Sequence, residues 1–256
     1  MKMTDFKSRK ADISLIYKTV SRLELPLKVF MPDTDVHKAG CAVFIHGGSW
    51  LDAICENGEW NGGWLADSAR YFAAHGFVGI VISYRSLKIS DSLNIDDLLG
   101  DCQAAVRFIM AHFGFADIGK TVYIGESAGG YLVARLALGE CELRPAAAVM
   151  INPVLGSFDA KWSYAFKGCS PRITEMAETL GKCPEMLFLH GDADTITDIG
   201  YTRDFCDRLT HAGKSCELWE IPGAQHAFAL YGYRSPDEFV TQITDRIIDW
   251  IKSRTE

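Results

Sequence analysis

The stretch Thr121-Val122-Tyr123-Ile124-Gly125-Glu126-Ser127-Ala128-Gly129-Gly130-Tyr131-Leu132-Val133-Ala134-Arg135-Leu136-Ala137-Leu138 decides how this chain folds. Four strand-favouring residues run into Gly-Glu-Ser-Ala-Gly-Gly, and a helix-forming run follows at once. Gly-x-Ser-x-Gly between a strand and a helix marks a turn so sharp that it pushes the Ser127 hydroxyl clear of the backbone. Gly125 and Gly129 flank a residue in an unfavourable conformation, where larger side chains would strike the adjoining strand and helix. Serines and glycines are common in loops, so the strand before and the helix after give the pattern its meaning.

Outward from that turn the alternation continues in both directions. A β-hairpin opens the chain at 13–20 and 25–30. Further strands are expected at 41–46, 78–83, 121–125, 146–152, 186–190 and 216–221. They are nearly all apolar, as strands covered on both faces should be. Helices are expected at 65–75, 95–113, 128–139, 200–212 and 236–254. The last puts Phe239, Ile243, Ile247 and Ile251 on one face. This order predicts an α/β protein with a mostly parallel sheet wrapped by helices. Ligands bind such sheets beyond the carboxyl ends of the strands. His46-Gly47-Gly48, Ser127, Asp192 and Asp194, and His226 all fall at those ends.

Two segments stand outside the repeat. Residues 49–64 hold Trp50, Trp60, Trp64, Glu56 and Glu59 and read as a pocket loop. Residues 156–183 hold Phe158, Trp162, Tyr164 and Phe166 and read as a small lid. Extra segments at strand ends shape pockets, although their aromatics can equally pack on the body. With no repeat, linker or low-complexity tract, residues 1–256 read as one domain.

Composition sets the outer limits. The hydrophobic fraction of 48% and charged fraction of 23% are ordinary for a soluble globular chain. A net charge of −7 argues against nucleic acid or an anionic membrane as partner. No apolar run approaches the roughly 20 residues that span a bilayer. The basic start, Met1 to Lys10, lacks the apolar core and cleavage site of a secretory signal. Eight scattered cysteines form no C-x-x-C pair or Cys/His cluster, so no metal site is expected. Reduced thiols in a cytoplasm are the expectation. A small-molecule partner is expected, no cofactor is called for, and a homodimer is left open.

A serine hydroxyl is a poor nucleophile at neutral pH, so Ser127 needs a histidine base, and the histidine needs a carboxylate to hold its tautomer. In chain order the acid and the histidine follow the serine. His226 lies in Pro222-Gly223-Ala224-Gln225-His226-Ala227-Phe228, between the last strand and the last helix, where the base belongs. His211 falls near a helix end and reads as a dipole or surface residue. His190 ends a strand and reads as orienting the turn. The acid lies in Gly191-Asp192-Ala193-Asp194-Thr195-Ile196-Thr197-Asp198. Spacing leaves Asp192 and Asp194 nearly even, with Asp198 further off. Negative charge on a reacting carbonyl needs N–H donors, each contributing about 3 kcal/mol. Ala128 can supply one and Gly47 and Gly48 the others, with His46 architectural.

With these residues, the chain resembles the α/β-hydrolase superfamily, and most nearly the carboxylesterases grouped with hormone-sensitive lipase and bacterial feruloyl/acetyl-xylan esterases. The resemblance runs through Val29-Phe30-Met31-Pro32, His46-Gly47-Gly48-Ser49-Trp50, Ser83-Tyr84-Arg85, Asp101 to Phe108, Gly125 to Gly130, His190 to Asp194 and Gly223 to Phe228. It implies an eight-stranded α/β-hydrolase sheet, a triad of Ser127, Asp194 and His226, and an oxyanion hole of Gly47, Gly48 and Ala128. Its His-Gly-x-x-Asp pattern is what selects Asp194. The family's third oxyanion-loop glycine is Ser49 here, and the 156–183 segment is short for a lipase cover.

The resulting expectation is a serine esterase for small acyl esters. O-acetyl groups of carbohydrates form one substrate class, with Trp50, Trp60, Trp64, Glu126 and Trp162 as substrate contacts. His-Gly-Gly-x-Trp is also similar to kynurenine formamidases, which makes an aryl-formamide the rival substrate. A non-catalytic receptor on the same fold is the alternative of another class. A prolyl-oligopeptidase type of peptidase would need a propeller domain for which the chain has no room.

Overall fold

In the computed structural model, which describes residues 10–52, 55–56, 59–60, 63–156, 159–169, 173–179 and 183–255, the apolar runs become strands and the amphipathic runs helices. The strands are β1 (Ile13–Val20), β2 (Leu23–Phe30), β3 (Gly40–Ile45), β4 (Cys55–Glu56), β5 (Glu59–Trp60), β6 (Val78–Ile82), β7 (Asp117–Glu126), β8 (Ala147–Ile151), β9 (Glu185–Gly191) and β10 (Cys216–Ile221). The helices are α1 (Gly63–Ala74), α2 (Ile95–His112), α3 (Ala128–Ala137), α4 (Ile173–Thr179), α5 (Ile199–His211) and α6 (Asp237–Thr255).

Eight strands form one sheet in the order β1-β2-β6-β3-β7-β8-β9-β10, while β4 and β5 pair separately. From β6 to β10 every neighbouring pair in the sheet is parallel, and β2 joins β6 antiparallel. This is the α/β-hydrolase architecture that the sequence implies.

Alternation along each strand divides the core in two, because successive side chains point to opposite faces. Cys41, Val43 and Ile45 of β3 join one cluster with residues of α2, α3 and α5. Ala42 and Phe44 of the same strand join the other, with Leu65, Ala69 and Phe72 of α1 and Ile243, Ile247 and Ile251 of α6. Helices therefore cover both faces, which is why the central strands could be apolar throughout. α2 begins where Asn94 and Asp97 close a capping box, satisfying helix N–H groups that would otherwise be orphaned.

Register brings the chemistry to one rim. Ile45 pairs with Gly125, Glu126 with Ile151, and Ile221 with Gly191. The residues just past these pairs, at 46–48, 127, 152, 192–194 and 222–226, accordingly emerge from the same edge of the sheet.

Most boundaries shift from expectation by one or two residues, and two departures are larger. β7 starts at Asp117 because Gly40 pairs with Asp117 before a register shift, lengthening a strand that hydrophobicity alone starts at Thr121. The segment expected as a lid contains α4, whose Ile173, Met176 and Ala177 are buried in the core. Its Phe158 lies outside the described residues.

The elbow itself depends on close packing. A Cβ on Gly129 would lie 2.1 Å from the Ile45 carbonyl oxygen, and one on Gly125 would lie 2.4 Å from the Gly129 carbonyl oxygen. Both obstacles are backbone, so neither can step aside. Gly129→Ala should therefore destabilise the fold by at least about 2 kcal/mol. Gly100, inside α2 with open space around it, gives the opposite sign. Gly100→Ala should stabilise by up to about 1 kcal/mol through helix propensity. Urea unfolding of the two variants checks the contrast, and equal effects would contradict the packing account.

Candidate active site

Ser127 stands between β7 and α3 at φ 53° and ψ −118°, a conformation that costs on the order of 1–3 kcal/mol for a residue with a side chain. Its backbone is held there from both ends. Its N–H donates to the Ile151 carbonyl at 2.9 Å, and its own carbonyl accepts from Val154 at 3.2 Å and Tyr131 at 3.3 Å. The hydroxyl is thereby fixed at the rim while the side chain remains nearly buried.

His226 comes from the loop after β10. Its Nε2 lies 2.9 Å from Ser127 Oγ, and its Nδ1 lies 2.7 Å from Asp194 Oδ2. The side chain of Asp194, from the turn after β9, is fully buried. Its Oδ1 accepts from the Ile196 and Thr197 amides at 2.8 and 3.0 Å, and its Oδ2 accepts from the Thr197 hydroxyl at 2.7 Å. Burial opposes the ionised form, but hydrogen bonds from His190, His226 and the Thr197 amide, with the charge of His226, outweigh it. The carboxyl is held well below the usual carboxylate range.

His190 is buried behind this group. Its Nε2 donates to the Thr197 carbonyl at 3.0 Å and lies 3.5 Å from Asp194 Oδ2, while its Nδ1 accepts from the Thr202 hydroxyl at 2.8 Å. It orients the acid turn, the role expected of it. Asp192 goes elsewhere: its Oδ1 accepts from the Gly223 amide at 2.6 Å, tying the β9 turn to the β10 turn. The residues that spacing left nearly even are separated by geometry. His211 is exposed at the last position of α5, with its ring bonded to the Asp207 carbonyl.

The loop after β3 is braced by Tyr84 and by the ring of His46. The Tyr84 hydroxyl donates to the His46 carbonyl at 2.7 Å and lies 3.2 Å from the Gly47 carbonyl. The His46 ring stacks on Tyr84 at 4.0 Å and donates from Nδ1 to the Gly47 carbonyl at 2.7 Å. Burial pushes the His46 imidazole down to about 4, although the bond to Gly47 favours its charged form. It is thus a neutral donor at neutral pH. A trans peptide points its N–H opposite to its C=O. Tying the carbonyls of His46 and Gly47 on one side therefore turns the amides of Gly47 and Gly48 to the other. The same argument applies to Ala128, whose preceding carbonyl is engaged by Tyr131 and Val154. Gly47 itself abuts Ser127: a Cβ there would lie 3.1 Å from Ser127 Cβ.

Three of the expected substrate contacts need correction. Trp50 is fully buried, donates from its indole N–H to the Ala128 carbonyl at 3.0 Å, and meets Tyr131, Trp162 and Phe166 edge-on. It is a strut between the β3 loop and α3, and its face is not open to a substrate. Trp162 is buried against it, and with Ala165, Ile173, Met176 and Ala177 of the 156–183 segment it joins the core. Tyr164 of that segment donates to the Ser49 carbonyl at 2.8 Å, bracing the same loop. Glu126 is buried beneath the rim, with Oε1 3.7 Å from His226 Nε2, so this oxygen faces the imidazole. The side chains of Trp60 and Trp64 lie outside the described residues, as do those of Glu56 and Glu59. Tyr84 stands in a motif of the resemblance and Tyr164 in the 156–183 segment, but only the fold shows that both bind carbonyls of this loop.

Among the described residues, no group of three or more His, Cys, Asp or Glu could hold a metal ion, and no helix is long and apolar enough to cross a membrane.

Solved structures of esterase 2 from Thermogutta terrifontis share this fold. The apo form is 26% identical with a TM-score of 0.78, the form phosphoramylated by tabun 25% with 0.78, and the butyrate-bound form 25% with 0.76. Each likeness covers 93% of this chain and 92% of that one. No curated protein matches the chain. Fold and likenesses together make this chain an α/β-hydrolase of the serine carboxylesterase class. The BD-FAE family model matches residues 27–160, just over half of the 256, and the chain belongs to that family.

The depressed Asp194 pKa has a consequence for stability. A carboxyl held below its unfolded value stabilises the fold above that value, about 3.9 for Asp, and the contribution is lost as pH falls further. Asp194→Asn should thus be less stable than the wild type at pH 7, with the gap narrowing below about pH 4. Urea midpoints at pH 7 and pH 3 check this; a constant gap would show that the charge of Asp194 does not contribute.

Proposed function

We propose that the enzyme hydrolyses small acyl esters through Ser127, His226 and Asp194, with the amides of Gly47, Gly48 and Ala128 as oxyanion donors. One observation carries the reading: His226 bridges Ser127 Oγ at 2.9 Å and a buried, ionised Asp194 at 2.7 Å. Asp194 accepts from Nδ1–H, so Nε2 is left with a lone pair aimed at the hydroxyl proton.

The reaction follows from that arrangement. Ser127 Oγ attacks the ester carbonyl as its proton passes to His226 Nε2. The carbonyl oxygen takes the negative charge, facing amides already turned by the Tyr84 and His46 bonds. Because those amides are fixed in advance, little reorganisation is needed as charge develops. Asp194 stabilises the imidazolium, which gives its proton to the departing alkoxide. The C–O bond to the alcohol breaks, leaving an acyl-enzyme. Water then loses a proton to His226 and attacks, and Ser127 recovers its proton as the acid leaves.

A small acyl group is supported by the described 156–183 residues, whose Trp162, Ala165, Ile173, Met176 and Ala177 are buried in the core. Butyrate bound to the Thermogutta esterase fits the same size class. The carbohydrate reading loses one of its supports with the burial of Trp50.

Ser127→Ala should remove measurable turnover of nitrophenyl acetate and butyrate while leaving the fold intact, and an active-serine phosphonate should label Ser127 alone. Asp194→Asn should lower kcat by on the order of 10⁴. Asp192→Asn, which touches only a backbone turn, should lower it far less. Equal losses from both aspartates would refute the assignment. An unlabelled Ser127 would favour a receptor, and N-formylkynurenine turned over orders of magnitude faster than aryl acetates would favour the formamidase.

A further inference from the structure

We propose that Glu126 is a positioning residue for the imidazole, a second carboxyl group on the Nε2 side of His226 whose ionised form promotes formation of the imidazolium. The inference rests on the Ser127–His226 reading above. Glu126 precedes the nucleophile at the end of β7, so the same elbow that fixes Ser127 fixes this side chain. Its Oε1 is buried, has no hydrogen-bond partner among the described residues, and lies 3.7 Å from His226 Nε2. Asp194 already occupies the Nδ1 side at 2.7 Å. The ring is therefore bracketed by two carboxyl groups, of which only Asp194 has a full set of donors.

Such placement is costly unless something is gained from it. A buried carboxylate without donors is strongly disfavoured, so the group resists ionising. Burial raises its pKa most; the charge of His226 opposes the rise and Asp194 adds to it, leaving the carboxyl pushed up to about 7. Among the described residues, the further ionisable group that interacts with it is Tyr84, whose hydroxyl is engaged with the His46 carbonyl. From α1 and α6 the polar residues lining the space beside it are Ser68 and Thr244, neither of which titrates in this range. With Glu126 they line a cavity of about 20 Å³, enough for one water. Below neutrality Glu126 is thus mainly the neutral acid. Above it, the carboxylate faces the nitrogen that carries the new proton when Ser127 attacks. An attraction at that distance acts on the transition state and not on the resting neutral ring.

Glu126→Gln keeps the shape and removes the charge. The test is kcat and KM of wild type and variant on nitrophenyl acetate from pH 5.5 to 9, with phosphonate labelling of both proteins. The wild-type to variant kcat ratio should climb from near one at the acid end to about tenfold at the alkaline end, with KM changed less than about twofold. Glu126→Asp, which retains a titrating carboxyl, should restore part of the rise and serves as well should the amide impair folding. A ratio that is flat with pH, or a variant faster than wild type at alkaline pH, would overturn the role of Glu126 while labelling of Ser127 leaves the triad standing. Absence of label in the wild type would instead overturn the triad, and this inference with it.

Discussion

The approach of α3 to the end of β3 is the constraint on which the rest depends. Gly129 sits against the carbonyls of Ile45 and His46, closer than any side chain allows. That contact forces the chain to reverse within one residue, and Ser127 takes the strained conformation as a result. Hydrogen bonds to Ile151, Val154 and Tyr131 then hold the strain in place. Ser127 and the His46–Gly48 loop are adjacent because the two strands that deliver them end level, with Ile45 paired to Gly125.

Charge is arranged around His226 with unequal care. Asp194 receives two amides and a hydroxyl, and these offset the cost of burying it. Glu126, also buried, has no such donors for Oε1. Two carboxyl groups on one imidazole thus differ in how readily they ionise, for a reason visible in their hydrogen bonds. The loop after β3 follows a related logic. His46, Tyr84 and Tyr164 bind its carbonyls, and the planarity of the peptide leaves the amides facing the opposite way.

Residue type proved a poor guide to solvent exposure along the 49–64 and 156–183 segments. Aromatics near a pocket invite a substrate-stacking interpretation, yet Trp50 and Trp162 are buried against each other. The indole N–H of Trp50 explains the choice of residue, because it satisfies the Ala128 carbonyl inside an apolar cluster. Phenylalanine could fill the space but could not make that bond. Nothing in the local pattern distinguishes a strut from a stacking platform; the partner carbonyl lies 78 residues away in the chain.

The sequence by itself determined the alternation of strands and helices, the elbow at Ser127 and the chain order of serine, acid and histidine. Each of these is local: apolar periodicity, small residues at a turn, and a histidine in the last loop carry their own signal. Choosing Asp194 over Asp192 needed either a resemblance or the structure, since both stand in one turn and differ only in the direction they face. The tertiary structure alone decided that Asp192 ties two turns together, that Trp50 braces the elbow, that Tyr84 and His46 aim the amides, and that Glu126 lies under the imidazole. All four depend on contacts between segments far apart in the chain, set by strand register and by the side of the sheet on which each residue emerges.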